Sequence, residues 1–342
     1  MKKTIRFFLS AVIFLVILSF LLAPLQQLFA RKSLEGVWDM TNKVGGFYNE
    51  PEQEFDVMFF GSSHAYASVS PLRLWGNTGV KSYVFATQQQ PVWATYAYLK
   101  EALKTQTPSL VVVECQMALS DEDYHEEGVT YSYMDDLQFS WDKVQLAWHS
   151  APDMAGRVEL LWNFIKYHGR WSELTEEDYH FNRESLRDPY KGYVMLWDTP
   201  DPQPRPDTDG ITARAPLTEK NERWLREIVD LCEEAHVELW LIKSPSNLTE
   251  EEKPRLNTVE DIAAERGVRF HDFNADYDAM GLSGALFFDE HHLDCTGAAR
   301  FTDYFGKYLM EHAEISGQPE DADWLLDAAA YEERLQELGE SQ

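Results

Sequence analysis

Residues 55–64 read FDVMFFGSSH, an apolar run that ends abruptly in a glycine, two serines and a histidine. Continuous apolar runs bounded by turn residues are typical of parallel strands that are buried on both faces. In an open α/β sheet, ligands bind outside the carboxyl ends of the strands. We therefore predict a strand over 55–60 and expect the Ser63 hydroxyl to face a crevice. The alternative is that Gly-Ser-Ser forms an ordinary polar turn.

Further apolar runs alternate with segments of helical spacing along the chain. The predicted strands are 82–85, 109–114, 237–242 and 269–273, and the predicted helices are 91–105, 218–235, 248–266 and 296–312. Strands that alternate with helices form a parallel sheet covered on both faces. The pattern therefore predicts a three-layer α/β/α fold with a parallel sheet of about five strands.

The segment 120–215 breaks this alternation and is rich in aromatic residues. We interpret it as a helical insertion or cap over the carboxyl edge of the sheet, ending in a Pro/Asp-rich linker over 199–210. Residues 316–342 form an acidic tail with one amphipathic helix at 322–338. The predicted α/β domain is thus built from two halves, 31–119 and 216–315, and residues 1–30 precede it.

The N-terminus has the pattern of a membrane anchor. Lys2, Lys3 and Arg6 precede an uncharged, largely apolar run at 7–25, and about 20 apolar residues suffice for a helix to cross a bilayer. A cleaved signal peptide is the competing interpretation. The bulky residues at 28–30 make a poor cleavage site, which favours a retained signal-anchor.

The charges that flank the apolar run are nearly balanced, since Arg31 and Lys32 follow it. A long C-terminal domain is translocated largely regardless of such small biases. We therefore expect a single-pass protein of the cell membrane with its N-terminus inside and 31–342 outside the cytoplasm. The net charge of −28 argues against nucleic acid as a partner. The three cysteines are too few and too scattered to predict disulfides: Cys115, Cys232 and Cys295.

A second motif lies far downstream, where residues 287–294 read FFDEHHLD. Asp289 and His292 are three residues apart, so on a turn the carboxylate can hold one imidazole nitrogen while the other faces a separate hydroxyl. Serine catalysis requires that arrangement. The alternative is a capped helix start with exposed histidines.

The two motifs together resemble the SGNH/GDSL hydrolase superfamily, and within it the membrane-anchored cell-envelope branch with DltD-like and alginate-acetylation-type proteins. Gly61-Ser62-Ser63 stands where that family has Gly-Asp-Ser, and Asp289 to His292 stands where it has Asp-x-x-His. The resemblance implies that Ser63 is the nucleophile, His292 the general base and Asp289 its orienting carboxylate. It also implies a flavodoxin-like fold, no cofactor, and a partner of the membrane-bound O-acyltransferase kind.

The sequence departs from this family where the oxyanion hole is expected. The family has a glycine in its second block and an asparagine in its third, whereas this chain has FATQQQP at 85–91 and ECQ at 114–116. Backbone N–H groups or glutamine amides are the possible replacements. The candidate oxyanion or substrate residues are Gly61, Ser62, His64, Ala86, Gln88, Gln90 and Gln116.

Three functions remain open at the level of sequence. The leading one is a two-step acyl transfer from Ser63 to a cell-envelope polysaccharide or similar acceptor; an esterase that uses water differs only in the acceptor. A catalytically silent scaffold would instead bind glycans through the aromatic insertion, with Trp162 and Trp171 as candidates. His125, His168 and Arg170 of the insertion either line a substrate groove or serve packing. A metal site is not predicted, because the potential ligands show no recognised spacing: His64, Glu114, Asp289, His291 and His292.

Overall fold

The computed structural model describes residues 2–34, 39–197, 202, 205 and 207–340. Its centre is a five-stranded parallel sheet in the order β2-β1-β3-β4-β5. The predicted α/β class and strand number are confirmed. The strands are β1 Val57–Phe60, β2 Ser82–Val84, β3 Leu110–Glu114, β4 Glu238–Lys243 and β5 Arg269–Asp272.

Helices cover the sheet and make up most of the remaining chain. In the first half they are α1 Lys2–Phe29, α2 Met40–Phe47, α3 Ser63–Tyr66, α4 Pro71–Thr78 and α5 Val92–Ala102. The insertion contains α6 Glu127–Met134, α7 Trp141–Ser150, α8 Met154–Leu161, α9 Asn163–Tyr167 and α10 Glu176–His180. The second half adds α11 Glu219–Ala235, α12 Lys253–Arg266, α13 Cys295–His312 and α14 Ala322–Glu340. Short 3₁₀ helices occupy Gln116–Leu119, His168–Ser172, Arg183–Ser185, Phe273–Asp276 and Gly284–Leu286.

The strand order creates a crevice beside β1. The chain begins the sheet at β1, adds β2 on one side and then returns to add β3 on the other side. The carboxyl ends of β1 and β3 are level, since Phe60 pairs with Val113. Ligands bind at such a switch point, where the connections leave in opposite directions. The residues that follow Phe60 and Val113 therefore share one crevice.

The insertion is helical as predicted, and its first residues reach the carboxyl edge of the sheet, where Ser120, Glu122 and His125 line the same cavity as Ser63. Its helix α7 packs against α5, and α9 packs against α1. Near the end of the insertion, the Lys191 carbonyl accepts a hydrogen bond from the N–H of Val84 on the edge strand β2. The segment thus covers the flank and one edge of the sheet. Half of the predicted linker at 199–210 lies outside the described residues.

The C-terminal segment is part of the folded domain rather than a free acidic tail. Helix α14 packs against α4, and the Trp324 side chain is fully buried while its indole N–H donates to Glu54. Asp327 is also buried and pairs with Arg187 and Lys191. These packing, hydrogen-bonding and ionic contacts could not be predicted from the acidic composition of the segment.

Helix α1 is long and apolar enough to cross a membrane, with a mean hydropathy of 2.7 over an 18-residue window within Lys3–Phe29. The helix extends past the apolar run at 7–25 at both ends, so its last turn contains two polar residues. The side chains of Gln26 and Gln27 in that turn bond to the insertion.

Candidate active site

The backbone between β1 and α3 places Ser63 at the crevice. Gly61 has φ +143°, which L residues rarely adopt, and a Cβ on it would lie 3.0 Å from both the Cβ and the carbonyl oxygen of Glu114. A glycine is therefore required for β1 to pass this close to β3 and turn. The next residue, Ser62, is extended and caps α3, so Ser63 is the first residue of that helix.

The second motif folds into a tight turn ahead of α13. Phe287 and Leu293 form an antiparallel bridge, and the Phe288 N–H donates to the His292 carbonyl at 2.8 Å. Asp294 then caps α13 by accepting from the Gly297 N–H at 2.7 Å. The turn is fixed at both ends, so the orientation of the His292 ring is fixed as well.

Ser63, His292 and Asp289 lie in one hydrogen-bonded line. The His292 Nε2 atom is 2.7 Å from Ser63 Oγ, and Nδ1 is 2.9 and 2.8 Å from the two carboxylate oxygens of Asp289. An ionised carboxylate only accepts, so Nδ1 carries the proton and Nε2 is left to accept from the serine hydroxyl. The winding of the sheet thus joins residues that are 229 positions apart.

The Asp289 carboxylate is held ionised. Burial raises its pKa, but the hydrogen bond and charge of His292, together with the N–H groups of His291 and His292, outweigh burial and lower the pKa to about 2. Both N–H groups lie 2.8 Å from Oδ1. Asp289 therefore stays charged throughout the pH range in which an imidazole titrates.

Ser63 opens onto a cavity of about 420 Å³ that has both polar and apolar lining residues. The N–H groups of Ser63 and His64 open α3 and have no acceptor among the described residues. The Ser62 hydroxyl lines the same cavity, is fully buried and has no partner within the described part of the chain. Three donors thus stand beside the serine that would bear a tetrahedral intermediate, as an oxyanion hole requires.

Of the predicted amide donors, the structure brings two to the cavity. Gln88 and Gln116 line it, although the Gln116 amide already donates to Glu252 at 2.6 Å. Gln90 was a wrong choice, because its buried amide bonds to Thr87 and Thr95 and does not reach the cavity. The sequence shows which glutamines follow β2, but it does not reveal the direction in which each side chain points.

Ala86 and Gly61 are not cavity-lining residues either. Ala86 is buried just beyond β2. Gly61 acts through its backbone conformation at the turn, as described above, rather than as a donor to a ligand. The two predicted roles at these positions are therefore corrected.

A buried ion pair lies beneath the nucleophile. Lys243, the last residue of β4, donates to Glu114 at 2.9 Å, and both side chains are almost fully buried. Glu114 also accepts from the Ser244 hydroxyl and from the Gln116 N–H. One carboxylate therefore holds the ends of β3 and β4 together directly under the turn that carries Ser63.

Lys243 also fixes the tautomer of His64. Its ammonium faces three acceptors, namely Glu114 at 2.9 Å, the Ser244 carbonyl at 3.2 Å and His64 Nδ1 at 3.4 Å. Burial and the nearby Lys243, His292 and His291 lower the pKa of His64 well below its ordinary value, so the ring is neutral. Since an ammonium can only donate, Nδ1 accepts and Nε2 carries the proton. His64 therefore presents an N–H donor at the cavity wall.

Replacement of Lys243 by methionine is expected to lower the free energy of unfolding by about 3–5 kcal/mol, because it leaves Glu114 buried without its counter-ion. Urea unfolding of the full chain in detergent, followed by tryptophan fluorescence, measures this. Adding Glu114→Gln removes the uncompensated charge and should recover part of the loss. Lys307→Met, at an exposed position, is the control. Equal stability of the Lys243 and Lys307 variants would contradict the structural role.

The remaining sequence candidates are dispersed. His125 lines the cavity, whereas the Arg170 side chain donates to the carbonyls of Phe29 and Ala30 at the end of α1, and His168 Nδ1 lies 2.7 Å from the Ile165 carbonyl. Neither of the latter two lines the cavity. Trp162 and Trp171 also lie away from it, in or next to elements that pack against α1.

The potential metal ligands are engaged in other bonds. Glu114 binds Lys243, and His292 binds Ser63 and Asp289. Within the described ranges, no group of three or more His, Cys, Asp or Glu side chains is arranged to hold a metal ion.

Sequence reasoning missed several cavity residues, among them Tyr66, Glu252 and Arg255, and the buried Lys243. Tyr66 follows Ser63 on α3, and its phenol interacts with Ser63 while burial raises its pKa. Glu252 and Arg255 enter from the start of α12. A signal existed only for Lys243, because a lysine that ends an otherwise apolar strand is unusual.

Comparison of the chain with protein-family models gives no match, and comparison with curated proteins gives none either.

Proposed function

We propose that this chain is a serine hydrolase or acyltransferase of the α/β class that forms an acyl-enzyme at Ser63. The proposal rests chiefly on the 2.7 Å contact between Ser63 Oγ and His292 Nε2, with Asp289 on the opposite ring nitrogen. Within that class, the motifs around Ser63 and His292 resemble the SGNH/GDSL superfamily. Within that superfamily, we propose the membrane-anchored, DltD-like branch as the particular group.

The chemical step follows from the geometry. Ser63 Oγ attacks an ester or thioester carbonyl as His292 Nε2 takes the hydroxyl proton, and the oxyanion meets the N–H groups of Ser63 and His64. His292 then returns the proton to the leaving group, and the acyl group stays on Ser63. A sugar hydroxyl, or water, attacks the acyl-enzyme as His292 again acts as base. Asp289 stabilises the imidazolium in both halves.

The cavity favours a short acyl group and a hydroxyl-rich acceptor. At about 420 Å³ it is comparable to small-ligand sites. Its wall carries carboxylate, amide and guanidinium groups from Glu122, Gln88, Gln116, Glu252 and Arg255. Such groups suit the hydroxyls of a cell-envelope polysaccharide better than they suit a long hydrocarbon chain.

The membrane part of the proposal is a retained anchor. Gln26 bonds to the backbone of residues 161 and 164, and Arg170 donates to the carbonyls of Phe29 and Ala30. Lys32 pairs with buried Asp178 at 2.6 Å. The bonds of Gln26 and of the Phe29 carbonyl would be lost if α1 were cleaved, which favours a retained single-pass anchor. We propose, as the sequence predicts, that the domain lies outside the cytoplasm. An acyl donor then comes from a membrane-bound O-acyltransferase-type partner.

Covalent labelling tests the proposal. A fluorophosphonate incubated with the full chain in detergent is expected to add one phosphonyl group, which peptide mass spectrometry should place on Ser63. Ser63→Ala should abolish the adduct, since the probe needs an activated nucleophile.

The neighbouring serine provides the matched control. Ser62→Ala is expected to keep the adduct at the end point, because Ser62 is not in contact with His292. Absence of an adduct from the wild-type chain, or its persistence in Ser63→Ala, would refute the proposal.

A further inference from the structure

An open groove of about 610 Å³ runs along α1, away from the Ser63 cavity. One wall is formed by α1 from Val16 to Gln27, and the other by the insertion through Phe139, Leu161 and Trp162. The groove is mostly apolar. It is separate from the residues placed in the acyl-transfer site and has no role in that chemistry.

The position of the groove along α1 gives its depth in a bilayer. Gln26 and the residues after it bind the insertion and mark the polar end of the helix. Val16 lies ten residues earlier, which at 1.5 Å per residue is ~15 Å deeper, about half the thickness of the hydrocarbon core. Because the insertion faces this length of α1, it extends into the outer leaflet.

The surface of the insertion beside α1 has the composition expected at a membrane interface. The elements α9, α10 and the 3₁₀ helix His168–Ser172 all contact α1. They expose Ile165, Tyr179 and Trp171, and Phe139 at the groove is 74% exposed. Tryptophan and tyrosine are enriched where protein meets the headgroup region. We call Phe139, Trp162, Ile165, Trp171 and Tyr179 the membrane face.

The lining and the location of the groove favour a lipid chain as its occupant. Most of the lining is apolar, and the groove lies beside the helix that is long and apolar enough to cross a membrane. Lys143 and Arg183 also line the groove, but both already have partners: Lys143 donates to the carbonyls of Asp135 and Leu137, and Arg183 pairs with Asp136. The case for a lipid chain therefore rests on the apolar lining and not on a charged headgroup.

We propose that the insertion is a membrane-seated element: its membrane face lies in the outer leaflet, and a lipid hydrocarbon chain fills the groove along α1. This inference rests on the proposed anchoring role of α1 but not on the chemistry at Ser63. The aromatic insertion thereby serves to dock the domain on the bilayer rather than to bind glycans.

Spin-label depth measurements test this in the full chain reconstituted into vesicles of phosphatidylcholine and phosphatidylglycerol. A nitroxide is placed at Phe139→Cys and Trp171→Cys, both exposed positions whose replacement leaves the core intact. Phe14→Cys on α1 is the control inside the bilayer, and Met310→Cys on α13 is the control in water. The three native cysteines are buried and so are protected from the label.

We expect labels at 14, 139 and 171 to be accessible to oxygen and shielded from a water-soluble nickel chelate, and the label at 310 to be accessible to the chelate. Shielding of 139 can only come from lipid, because no partner protein is present. If 14 is shielded but 139 and 171 behave like 310, the inference fails while the anchor stands. If 14 is also accessible to the chelate, the anchor itself is refuted, and fluorophosphonate labelling of Ser63 would be unaffected.

Discussion

Ser63→Ala is expected to lower kcat for hydrolysis of a short-chain ester by about 10⁴- to 10⁶-fold, because it removes the atom that forms the acyl-enzyme. The residual rate is supplied by the hydrogen-bond donors of the cavity and by substrate binding alone. Steady-state kinetics of the full chain with an acetyl ester measures the change. Because Ser63 begins α3 and caps no other group, alanine should leave the fold intact.

The kinetics need a control for a general loss of structure. His291→Gln alters an exposed histidine next to the general base and should retain most of the wild-type rate. A Ser63→Ala variant with the full rate would show that the measured esterase activity arises elsewhere. Equal losses in the Ser63 and His291 variants would show that the turn, rather than the nucleophile, had been disturbed.

Asp289→Asn is expected to lower kcat by about 10⁴-fold, since an amide leaves His292 free to adopt the wrong tautomer and does not stabilise the imidazolium. The effect should appear in kcat more than in KM, because the interaction strengthens in the transition state. A pH profile adds a second measurement. With the pKa of Asp289 lowered to about 2, the carboxylate stays charged across an ordinary assay range, so the profile of the wild-type chain should show no loss of activity from its protonation.

Glu290→Gln is the matched control, because it removes the neighbouring charge without touching His292. The Glu290 variant should keep the wild-type rate. A loss of similar size in the Asp289 and Glu290 variants would indicate a general effect of charge near the cavity, and the assignment of Asp289 as the orienting carboxylate would fail.

The parallel sheet was predictable because its central strands β1 and β3 are buried on both faces. Runs such as 57–60 and 110–114 lack the alternation of a half-exposed strand and stand out from the helical segments between them. The meeting of Ser63 and His292 was predictable for a related reason. Ser63 follows the first predicted strand, and His292 lies just before the last predicted helix. A parallel sheet brings such positions to one edge. The spacing of Asp289 and His292 is also short enough to be fixed by a single turn.

Features that depend on side-chain direction could not be predicted in this way. Gln88 and Gln90 are two residues apart, yet one reaches the cavity and the other bonds inward to Thr87 and Thr95. The sequence does not reveal the ionic partner of Lys243 either, since Glu114 belongs to another strand. The role of the aromatic insertion was not predictable either, because the same residues suit a glycan groove, a core or a membrane surface.

The polar bonds around the last turn of α1 hold the domain in a fixed orientation relative to that helix. Gln26, Arg170 and Lys32 join the end of the helix and the insertion at several points, so the domain cannot rotate about the helix as it would on a flexible linker. Under the proposed anchoring, the mouth of the cavity would stay at one height above the bilayer. Under the proposed acyl transfer, only acceptor units at that height would be modified, and the protein rather than the length of a linker would set that range.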